Sequence, residues 1–373
     1  MRLLIGGDLV PTIENADLFC KSDIESIFGK DLKNYWLSAD YRIFNMECPI
    51  TNCKERLFKN GPSLVAEKNC LAGILALQPS IVMLSNNHIM DACETGLTDF
   101  MASLNDFGIP YIGAGENISA TNHTYIFESE SVRVGIYVCC DYEFSIALKN
   151  KAGAHPFSLK SYEDVRRLKN ETDYVIVIYH GGKEYYRYPS PELQSKCRAF
   201  VDAGAELVLC QHSHCIGSEE MYENGRILYG QGNFVFNKKS DDYWSTSLLV
   251  EVQVDSGFNV RYLPIIQTKM GTSLASGAEK QKILDDLEKR SNRISESGAI
   301  EKEFSIYSDS LITSYLYTFA GWNTYWAAVD RKIFKGFFIK KHYSRKSLAA
   351  MWNFIRTDAH REVVLQGLEN LIK

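Results

Sequence analysis

The 373-residue sequence lacks several features that would assign it directly to a class of protein. Its formal net charge is -5, so no overall basic field attracts nucleic acid or an anionic membrane. No stretch approaches the roughly 18 consecutive apolar residues of a membrane span. The start of the chain shows neither the apolar region nor the cleavage site of a secretory signal. We therefore predict a cytoplasmic protein with no transmembrane segment and no nucleic-acid partner.

Cysteine pairs of the CxxC type are also missing, although the chain contains 10 cysteines. Their absence excludes the common zinc knots and redox motifs. Cys210, in the apolar run AELVLC, is typical of a free thiol that behaves as a small hydrophobic side chain. Reduced thiols agree with the predicted compartment. With 45% hydrophobic and 23% charged residues, the chain has the composition of a globular protein.

Short apolar runs recur through the first two-thirds of the chain, and segments compatible with helices separate most of them. The runs lie at 3–7, 41–46, 80–85, 132–140, 174–180, 205–211, 226–231 and 247–254. The predicted crossover helices are 67–77, 91–107 and 190–203, the last ending at Gly204. Glu223-Asn224-Gly225 indicates a hairpin turn. This alternation predicts an α/β core with mixed sheets.

The composition changes after residue 272, where GTSLASGAEKQ is interpreted as a linker. We predict two domains, residues 1–272 and a mainly helical C-terminal module at 273–373 that is rich in aromatic and basic residues. For residues 332–346 we prefer an amphipathic helix packed on the core to one on an anionic membrane surface. The aromatic residues that we expect in the core of this module are Trp322, Tyr325 and Trp326.

Polar side chains that can bind metals follow five of the strand-like runs. The carboxyl ends of strands border the ligand crevice in open α/β sheets, so side chains there can converge. Carboxylates and imidazoles suit Zn, Mn or Fe, and two such ions can clamp the oxygens of a displacement reaction. A histidine that is not a ligand can protonate the leaving oxygen. The candidates are Asp8, Asn45, Glu47, Asn86, Asn87, His88, Asp91, His180, Glu184, His212 and His214.

Each of these signals has an ordinary structural explanation when it is taken alone. Gly-Asp after a strand is usually a turn, and Asn-His is usually a hydrogen-bonded loop pair. The placement of four of the eight histidines at strand ends favours a functional site. Lys59 lies in a Lys-Asn-Gly-Pro sequence, and we expect a solvated turn there rather than a contact with an anionic substrate. Arg187 is suited to a phosphate or carboxylate group.

Six segments occur in the order of the CapA, or PGA-cap, family motifs and resemble them closely. They are GGDLVPT, FNMECPIT, SNNHIMDACETGL, YHGGKEYYRYPSP, CQHSHCIGSEE and YGQGNFVF. That bacterial family is named for poly-γ-glutamate capsule biosynthesis and belongs to the calcineurin-like metallophosphoesterase superfamily. The resemblance covers about residues 1–240 and implies a four-layer α/β/β/α sandwich.

The resemblance also implies roles for individual residues. His88 resembles the catalytic histidine, with Asp91 in place to orient it. In the superfamily's first motif a histidine stands where this chain has Val10, so a site for one ion rather than two remains open. The implied metal ligands, for two divalent ions, are Asp8, Glu47, Asn87, His180, His212 and His214. The residues expected to line the substrate site are Asn45, Asn86, Glu184, Arg187 and Asn233.

The function expected from these motifs is a metal-dependent hydrolase of phosphoesterase type. The resemblance links it to capsule, poly-γ-glutamate or exopolysaccharide biosynthesis, with an anionic small molecule or polymer as substrate. Two alternatives remain open. The protein can be a non-catalytic accessory that binds the polymer or the synthesis machinery, or a metal-dependent hydrolase of γ-glutamyl amide bonds.

Overall fold

The computed structural model describes residues 1–237, 241, 243–255 and 257–372, and it contains two large β-sheets with helices on their outer faces. The strands are β1 (Arg2–Leu9), β2 (Tyr41–Met46), β3 (Ile81–Met83), β4 (Tyr111–Ile112), β5 (Ala114–Gly115), β6 (Thr124–Glu128), β7 (Arg133–Cys140), β8 (Gly153–Ala154), β9 (Tyr174–His180), β10 (Leu207–Gln211), β11 (Glu219–Tyr222), β12 (Gly225–Leu228), β13 (Asn233–Val235), β14 (Thr246–Val254), β15 (Phe258–Gln267) and β16 (Thr272–Leu274). The α-helices are α1 (Ala16–Cys20), α2 (Ile24–Leu37), α3 (Leu71–Ala76), α4 (Cys93–Asp106), α5 (Lys160–Glu171), α6 (Pro191–Asp202), α7 (Gly277–Ile294), α8 (Ala299–Phe319), α9 (Thr324–Ile333), α10 (Phe337–His342), α11 (Arg345–Arg356) and α12 (Asp358–Ile372). Short 3₁₀ helices lie at Lys68–Cys70 and Ile118–Ala120.

The first sheet has the strand order β16-β15-β14-β1-β2-β3-β4, and β13 also pairs with β1. Strands β1 to β4 are parallel, whereas β14 runs antiparallel to β1. The second sheet has the order β11-β12-β10-β9-β7-β6, and its four central strands are parallel. Since parallel neighbours end at the same edge of a sheet, β1 and β2 bring their last residues together, as do β9 and β10.

Alternating side chains of the strands build three stacked apolar layers. In β1, Leu3 and Ile5 belong to the core between the sheets, whereas Leu4 packs with helices α1 to α4. In β9, Ile176 belongs to the core between the sheets, whereas Val177 packs with helices α5 and α6. Strands buried on both faces need apolar residues at consecutive positions, which explains the continuous runs in the sequence. The predicted four-layer α/β/β/α sandwich with mixed sheets is confirmed.

The local signals in the sequence also correspond to the observed elements. All eight apolar runs overlap strands, and the three predicted helices correspond to Lys68–Cys70 with α3, to α4 and to α6. Helix α6 ends as predicted at Gly204, whose φ of 113° suits glycine and lets Ala205 N–H bond Phe200 O at 3.1 Å. Tyr222 pairs with Gly225 across the predicted hairpin.

Contacts along the chain define two compact units, residues 1–301 and 302–373. Helix α7 belongs to the first unit, where its Ile283 and Leu287 are buried in the core between the sheets. The domain boundary predicted at residue 272 stays a prediction. The boundary between the two compact units lies later in the chain, after residue 301. Among the described residues, no helix is both long and apolar enough to cross a membrane.

The second unit is helical, as predicted, but two expectations about its side chains are wrong. Its small core contains Leu316, Ala327 and Ile339. Tyr325 and Trp326, expected in that core, are 67% and 59% exposed, because α9 turns them away from it. Residues 332–346 do not form one packed amphipathic helix either. They comprise the end of α9, a left-handed break at Gly336, α10 and the start of α11, and most of their side chains are exposed.

The close approach of β1 to residue 232 generates a stability prediction. A Cβ at Gly7 would overlap the carbonyl oxygen of Gly232, which is backbone and cannot rotate away. We expect Gly7→Ala to lower the free energy of unfolding by about 3 kcal/mol, as in overpacked cores. Gly257→Ala is the control, since no described atom lies within 4 Å of its Cβ position. Urea melts showing equal stability for the two variants would contradict this packing argument.

Candidate metal centre

The candidate site lies where the carboxyl ends of the central strands of both sheets meet. Asp8 in β1 is opposite Asn45 in β2 and Asn233 in β13. In the second sheet, His180 at the end of β9 is opposite Gln211 at the end of β10. The register of parallel strands therefore places the predicted polar residues side by side, at one edge of each sheet.

Asp8 is the centre of this arrangement and has no solvent exposure. Asn45 Nδ2 donates a hydrogen bond to Asp8 Oδ1 at 2.7 Å, and the backbone N–H of His212 donates to Oδ2 at 3.3 Å. His180 Nδ1 lies 3.6 Å from Oδ1, and His214 Nδ1 lies 3.8 Å from Oδ2. Two of the predicted imidazoles and the backbone of a third predicted histidine thus surround one carboxylate.

Glu47 connects two groups of potential ligands. In the first group, ligand atoms of Glu47, His180 and His212 all lie within 4.8 Å of one another. In the second group, ligand atoms of Asp8, Glu47 and His214 meet the same limit. All five residues are buried. A carboxylate common to two three-residue groups is the arrangement expected of a ligand that bridges two ions.

Electrostatics favour, in Asp8, His212 and His214, the deprotonated states that metal binding requires. Burial alone would raise the pKa of Asp8, but hydrogen bonding and the charge of His180, with smaller contributions from His214 and Asn45, lower it to about 2. Burial, reinforced by the charge of His180, holds the pKa of His212 well below its usual value. Burial also lowers the pKa of His214. The lowered pKa values favour an ionised Asp8 carboxylate and neutral imidazoles at His212 and His214.

The His-x-His segment reaches the site by a different route from the one expected. An extended strand would place both imidazoles on one face, but β10 ends at Gln211. His212 and His214 both adopt left-handed backbone conformations, with φ of 82° and 56°. Such conformations are unfavourable for residues with a Cβ and concentrate at functional sites. His212 Nδ1 is buried with no hydrogen-bond partner among the described residues, which leaves a nitrogen for a ligand.

The three predicted asparagines in β2 and after β3 have different surroundings. Asn87 Oδ1 lies 3.0 Å from His180 Nε2, at the edge of the ligand set. Asn86 Nδ2 donates to Asn45 Oδ1 at 3.0 Å, and Asn86 Oδ1 accepts from the backbone N–H of His88. The amides of Asn45 and Asn86 are therefore engaged within the protein. Their role in substrate binding, and that of Asn87 as a ligand, stay predictions.

His88 belongs to a buried chain of charged groups beside the ligand set. Its Nδ1 lies 2.6 Å from Asp91 Oδ2, as the sequence predicted for an orienting carboxylate. Lys59 Nζ lies 2.5 Å from Asp91 Oδ1 and 3.1 Å from His88 Nδ1. The Lys59 side chain is only 5% exposed, so the expectation of a solvated turn was wrong. The signal in the sequence that could have placed Lys59 at the site was its position soon after the second family motif.

Two of the remaining predicted residues, Asn233 and Glu184, lie close to His214. Asn233 Oδ1 is 2.9 Å from His214 Nδ1, and the charge of Glu184 acts against the lowering of the His214 pKa. The Arg187 guanidinium stacks over the Tyr243 ring at 4.3 Å. Trp244, which sequence reasoning missed, packs its ring 4.4 Å from the His214 ring. Roles of Glu184, Arg187 and Asn233 in substrate binding stay predictions.

A second group of potential ligands, His123, His155 and Asp164, lies apart from this site. The rings of His123 and His155 are stacked, with centroids 4.0 Å apart and planes within 8°. Imidazole lone pairs lie in the ring plane, so two parallel rings do not converge on one ion. Thr121 bonds both Nδ1 atoms, which gives the pair a structural explanation.

Residues 2–238 match the family described as bacterial capsule synthesis protein PGA_cap. The chain therefore belongs to this family, and the resemblance noted in the sequence is confirmed.

Individual relatives are more distant. Capsule biosynthesis protein CapA of Bacillus anthracis is 26% identical over 250 residues, covering 64% of this chain and 60% of that protein. PGA biosynthesis protein CapA of Bacillus subtilis (strain 168) is 26% identical, covering 54% of each chain. A probable polyglutamine synthesis accessory protein of Mycobacterium tuberculosis is 27% identical, covering 55% of this chain and 57% of that protein. The chain thus spans little more than half the length of these relatives.

Some solved structures resemble this chain at low sequence identity. A putative 5'-nucleotidase from Staphylococcus aureus has a TM-score of 0.44 and 15% identity, covering 77% of this chain and 58% of its own. A phosphatase from Mycoplasma pneumoniae has a TM-score of 0.43 and 14% identity, covering 71% of this chain and 93% of its own.

His155 generates a prediction for the pH dependence of stability. Burial, together with the charge of His123, lowers its pKa in the folded protein to about 3. Below about pH 6.5 the unfolded chain therefore binds a proton that the folded chain excludes, so stability falls as the pH decreases toward 3. His212 and His214 act in the same direction. Between pH 6.5 and 5 we expect a loss of about 2 kcal/mol from His155 alone.

Urea melts in the presence of a chelator measure this slope. His155→Gln, which keeps a donor toward Thr121 but does not titrate, is expected to have a shallower pH dependence than the unaltered chain. Identical slopes for both proteins would show that the pKa of His155 is the same in the folded and unfolded states, which would contradict the prediction.

Proposed function

We propose that this chain is a metal-dependent hydrolase of phosphoesterase type that acts in the synthesis of a capsule or poly-γ-glutamate polymer. The observation that carries the proposal is the buried carboxylate of Glu47, which lies within ligand distance of two separate groups of imidazole and carboxylate atoms. Burial of so many ligand-type side chains is costly unless hydrogen bonds, ion pairs or a bound metal compensate it, and this chain brings five of them together.

The donor set fits a pair of divalent transition ions such as Mn, Zn or Fe. Glu47, His180 and His212 would hold one ion, and Asp8, Glu47 and His214 the other. When bound, such a pair supplies Lewis-acid stabilisation to the attacking water and to the oxygens of the substrate. Hydrogen bonds within the protein orient the ligands. Asn45, for example, holds the Asp8 carboxylate without any bound ion.

His88 is the proposed proton donor to the leaving oxygen. Its Nδ1 faces Asp91, so the proton for the leaving oxygen would come from Nε2. Lys59 balances the charge of Asp91 and contacts its other carboxylate oxygen, Oδ1. Because these three groups are buried, their mutual orientation is set by packing rather than by solvent. The substrate is proposed to be anionic, with Arg187 beside the site as a phosphate or carboxylate partner.

The metal content of purified protein tests the ligand assignment. We expect about two equivalents of a transition ion, and fewer for His212→Ala because His212 belongs to only one group. Glu47→Gln is expected to weaken both positions. The matched control is His123→Ala, which removes an imidazole away from the site and is expected to retain full metal content. Absence of any ion after incubation with Mn would overturn the metal centre.

Hydrolysis of an aryl phosphate tests the role of His88. In Mn- or Zn-loaded protein, His88→Ala is expected to lower kcat by about 10²- to 10⁴-fold, the usual range for a general acid, with metal content unchanged. Lys59→Met is expected to lower kcat less than His88→Ala does, because Lys59 acts only through Asp91. Lys54→Met removes an exposed lysine from the same loop and serves as the control. An active His88→Ala protein would refute this assignment.

A non-catalytic accessory role is the second candidate function. It is supported by the name of the Mycobacterium tuberculosis relatives, probable polyglutamine synthesis accessory proteins. It is also supported by Val10, an apolar core residue at the position where the superfamily motif has a histidine. Co-purification with a polymer synthase that survives His212→Ala, together with no hydrolysis of phosphates or of γ-glutamyl amides, would favour this role. Release of glutamate from γ-glutamyl peptides would instead identify an amide hydrolase.

A further inference from the structure

The C-terminal unit has a charge opposite to that of the whole chain. Residues 302–373 contain eleven Lys and Arg against six Asp and Glu, although the complete chain has a net charge of -5. The asymmetry is greatest in residues 331–357, here called the basic segment, which contain eight Lys and Arg and no Asp or Glu. Positive charge concentrated in this way creates a local field that the net charge does not reveal.

The basic segment also exposes large aromatic side chains. Phe337 and Phe338 in α10 are 56% and 47% exposed. Their ring centroids lie 5.4 Å apart, and Phe334 adds a third ring 4.9 Å from Phe338. Lys341 Nζ lies 5.9 Å from the Phe337 ring, so a cation borders the exposed rings. Aromatic rings bordered by lysines are typical of protein surfaces at the boundary between lipid headgroups and acyl chains.

Helix α11 continues this pattern along one face. Leu348, Trp352 and Ile355 recur at helical spacing and are all at least 40% exposed. The Arg356 guanidinium lies 4.7 Å from the Trp352 ring. Helix α11 therefore presents an apolar stripe with basic residues at both of its ends, in the same polypeptide segment as the α10 rings.

An apolar crevice of about 720 Å³ adjoins the α10 rings within the same unit. Its lining includes Trp322, Trp326, Phe334 and Phe338, with Lys341 at the same surface. The buried carboxylate of Asp330, also in the lining, is held by Tyr317 and by two backbone N–H groups, so it is satisfied within the protein. Apart from Asp330, the lining is mainly apolar, and Lys341 is its one Lys or Arg among the described residues.

We propose that the basic segment and its exposed aromatic side chains dock the protein on the surface of an anionic lipid membrane. Charge complementarity identifies the occupant, since eight basic side chains without an acidic one match a layer of negative headgroups. The exposed aliphatic side chains of Leu348 and Ile355 favour a membrane over nucleic acid, because bases stack on aromatic rings and phosphates pair with cations, but neither contact uses aliphatic surface. A second copy of the chain is disfavoured, since pairing two such basic surfaces brings like charges together. The inference is independent of the proposed hydrolase activity.

Sedimentation with vesicles tests the proposal on the full chain. The probe is phosphatidylcholine vesicles with or without 30% phosphatidylglycerol, and we expect the protein to bind only the anionic ones. The triple variant Lys332→Glu, Lys340→Glu and Lys346→Glu is expected to weaken partitioning by about a hundredfold or more, from the loss of three basic residues near the surface. Phe337→Ser with Trp352→Ser, which leaves the charge unchanged, is expected to weaken it as well.

The matched control is Lys280→Glu, Lys282→Glu and Lys289→Glu in α7 of the first unit, which makes the same change in charge on exposed positions and is expected to retain binding. Far-UV circular dichroism and thermal melts check that each variant is folded. Tryptophan emission gives a second readout, because Trp36 and Trp244 are buried whereas Trp326 and Trp352 are exposed and are expected to shift to shorter wavelength on vesicles. No binding to anionic vesicles, binding that the aromatic variant leaves intact, or an equal loss in the α7 control would overturn the proposal. Tight binding to a single-stranded oligonucleotide, with no binding to vesicles, would also overturn the proposal.

Discussion

An ionised carboxylate without solvent exposure, Asp8 on the central strand β1, is the constraint on which the rest of the site depends. A charge in this position is costly unless several groups compensate it. The compensation comes from the Asn45 amide on β2, the backbone of His212 after β10 and the imidazole of His180 on β9. These partners belong to both sheets. The two sheets must therefore be packed against each other before the carboxylate is stabilised, and the ligand set forms only as part of the complete sandwich.

The sequence predicts the sandwich and the location of the site for one physical reason. Strands that are buried on both faces appear in the sequence as continuous apolar runs. A polar residue at the end of such a run therefore lies at the edge of the sheet. Asp8 and His180 are found in this way, and the register of parallel strands then pairs Asp8 with Asn45 in one sheet and His180 with Gln211 in the other. Glu47, Asn87 and His88 lie just beyond their strands, so the same argument finds them.

The features that the sequence did not reveal depend on segments without a regular period. Lys59 reaches Asp91 from a long irregular connection between β2 and Lys68–Cys70, where no spacing rule relates a residue to its partner. His212 and His214 share the site because of left-handed backbone angles, not because of strand alternation. In the C-terminal unit the aromatic content suggested a core. Composition alone does not show which aromatic rings are buried against a neighbouring helix. Tyr325 and Trp326 remain at the surface for that reason.

The contribution of ligands from both sheets has a consequence for the life of the protein in a cell. If ions occupy the proposed positions, each bound ion stabilises only the assembled sandwich, because Asp8 and Glu47 come from one sheet and the imidazoles from the other. Scarcity of the metal would then raise the fraction of unfolded chains available to proteases. The abundance of the protein would follow the supply of its metal, so that starvation for the ion removes the polypeptide as well as its activity.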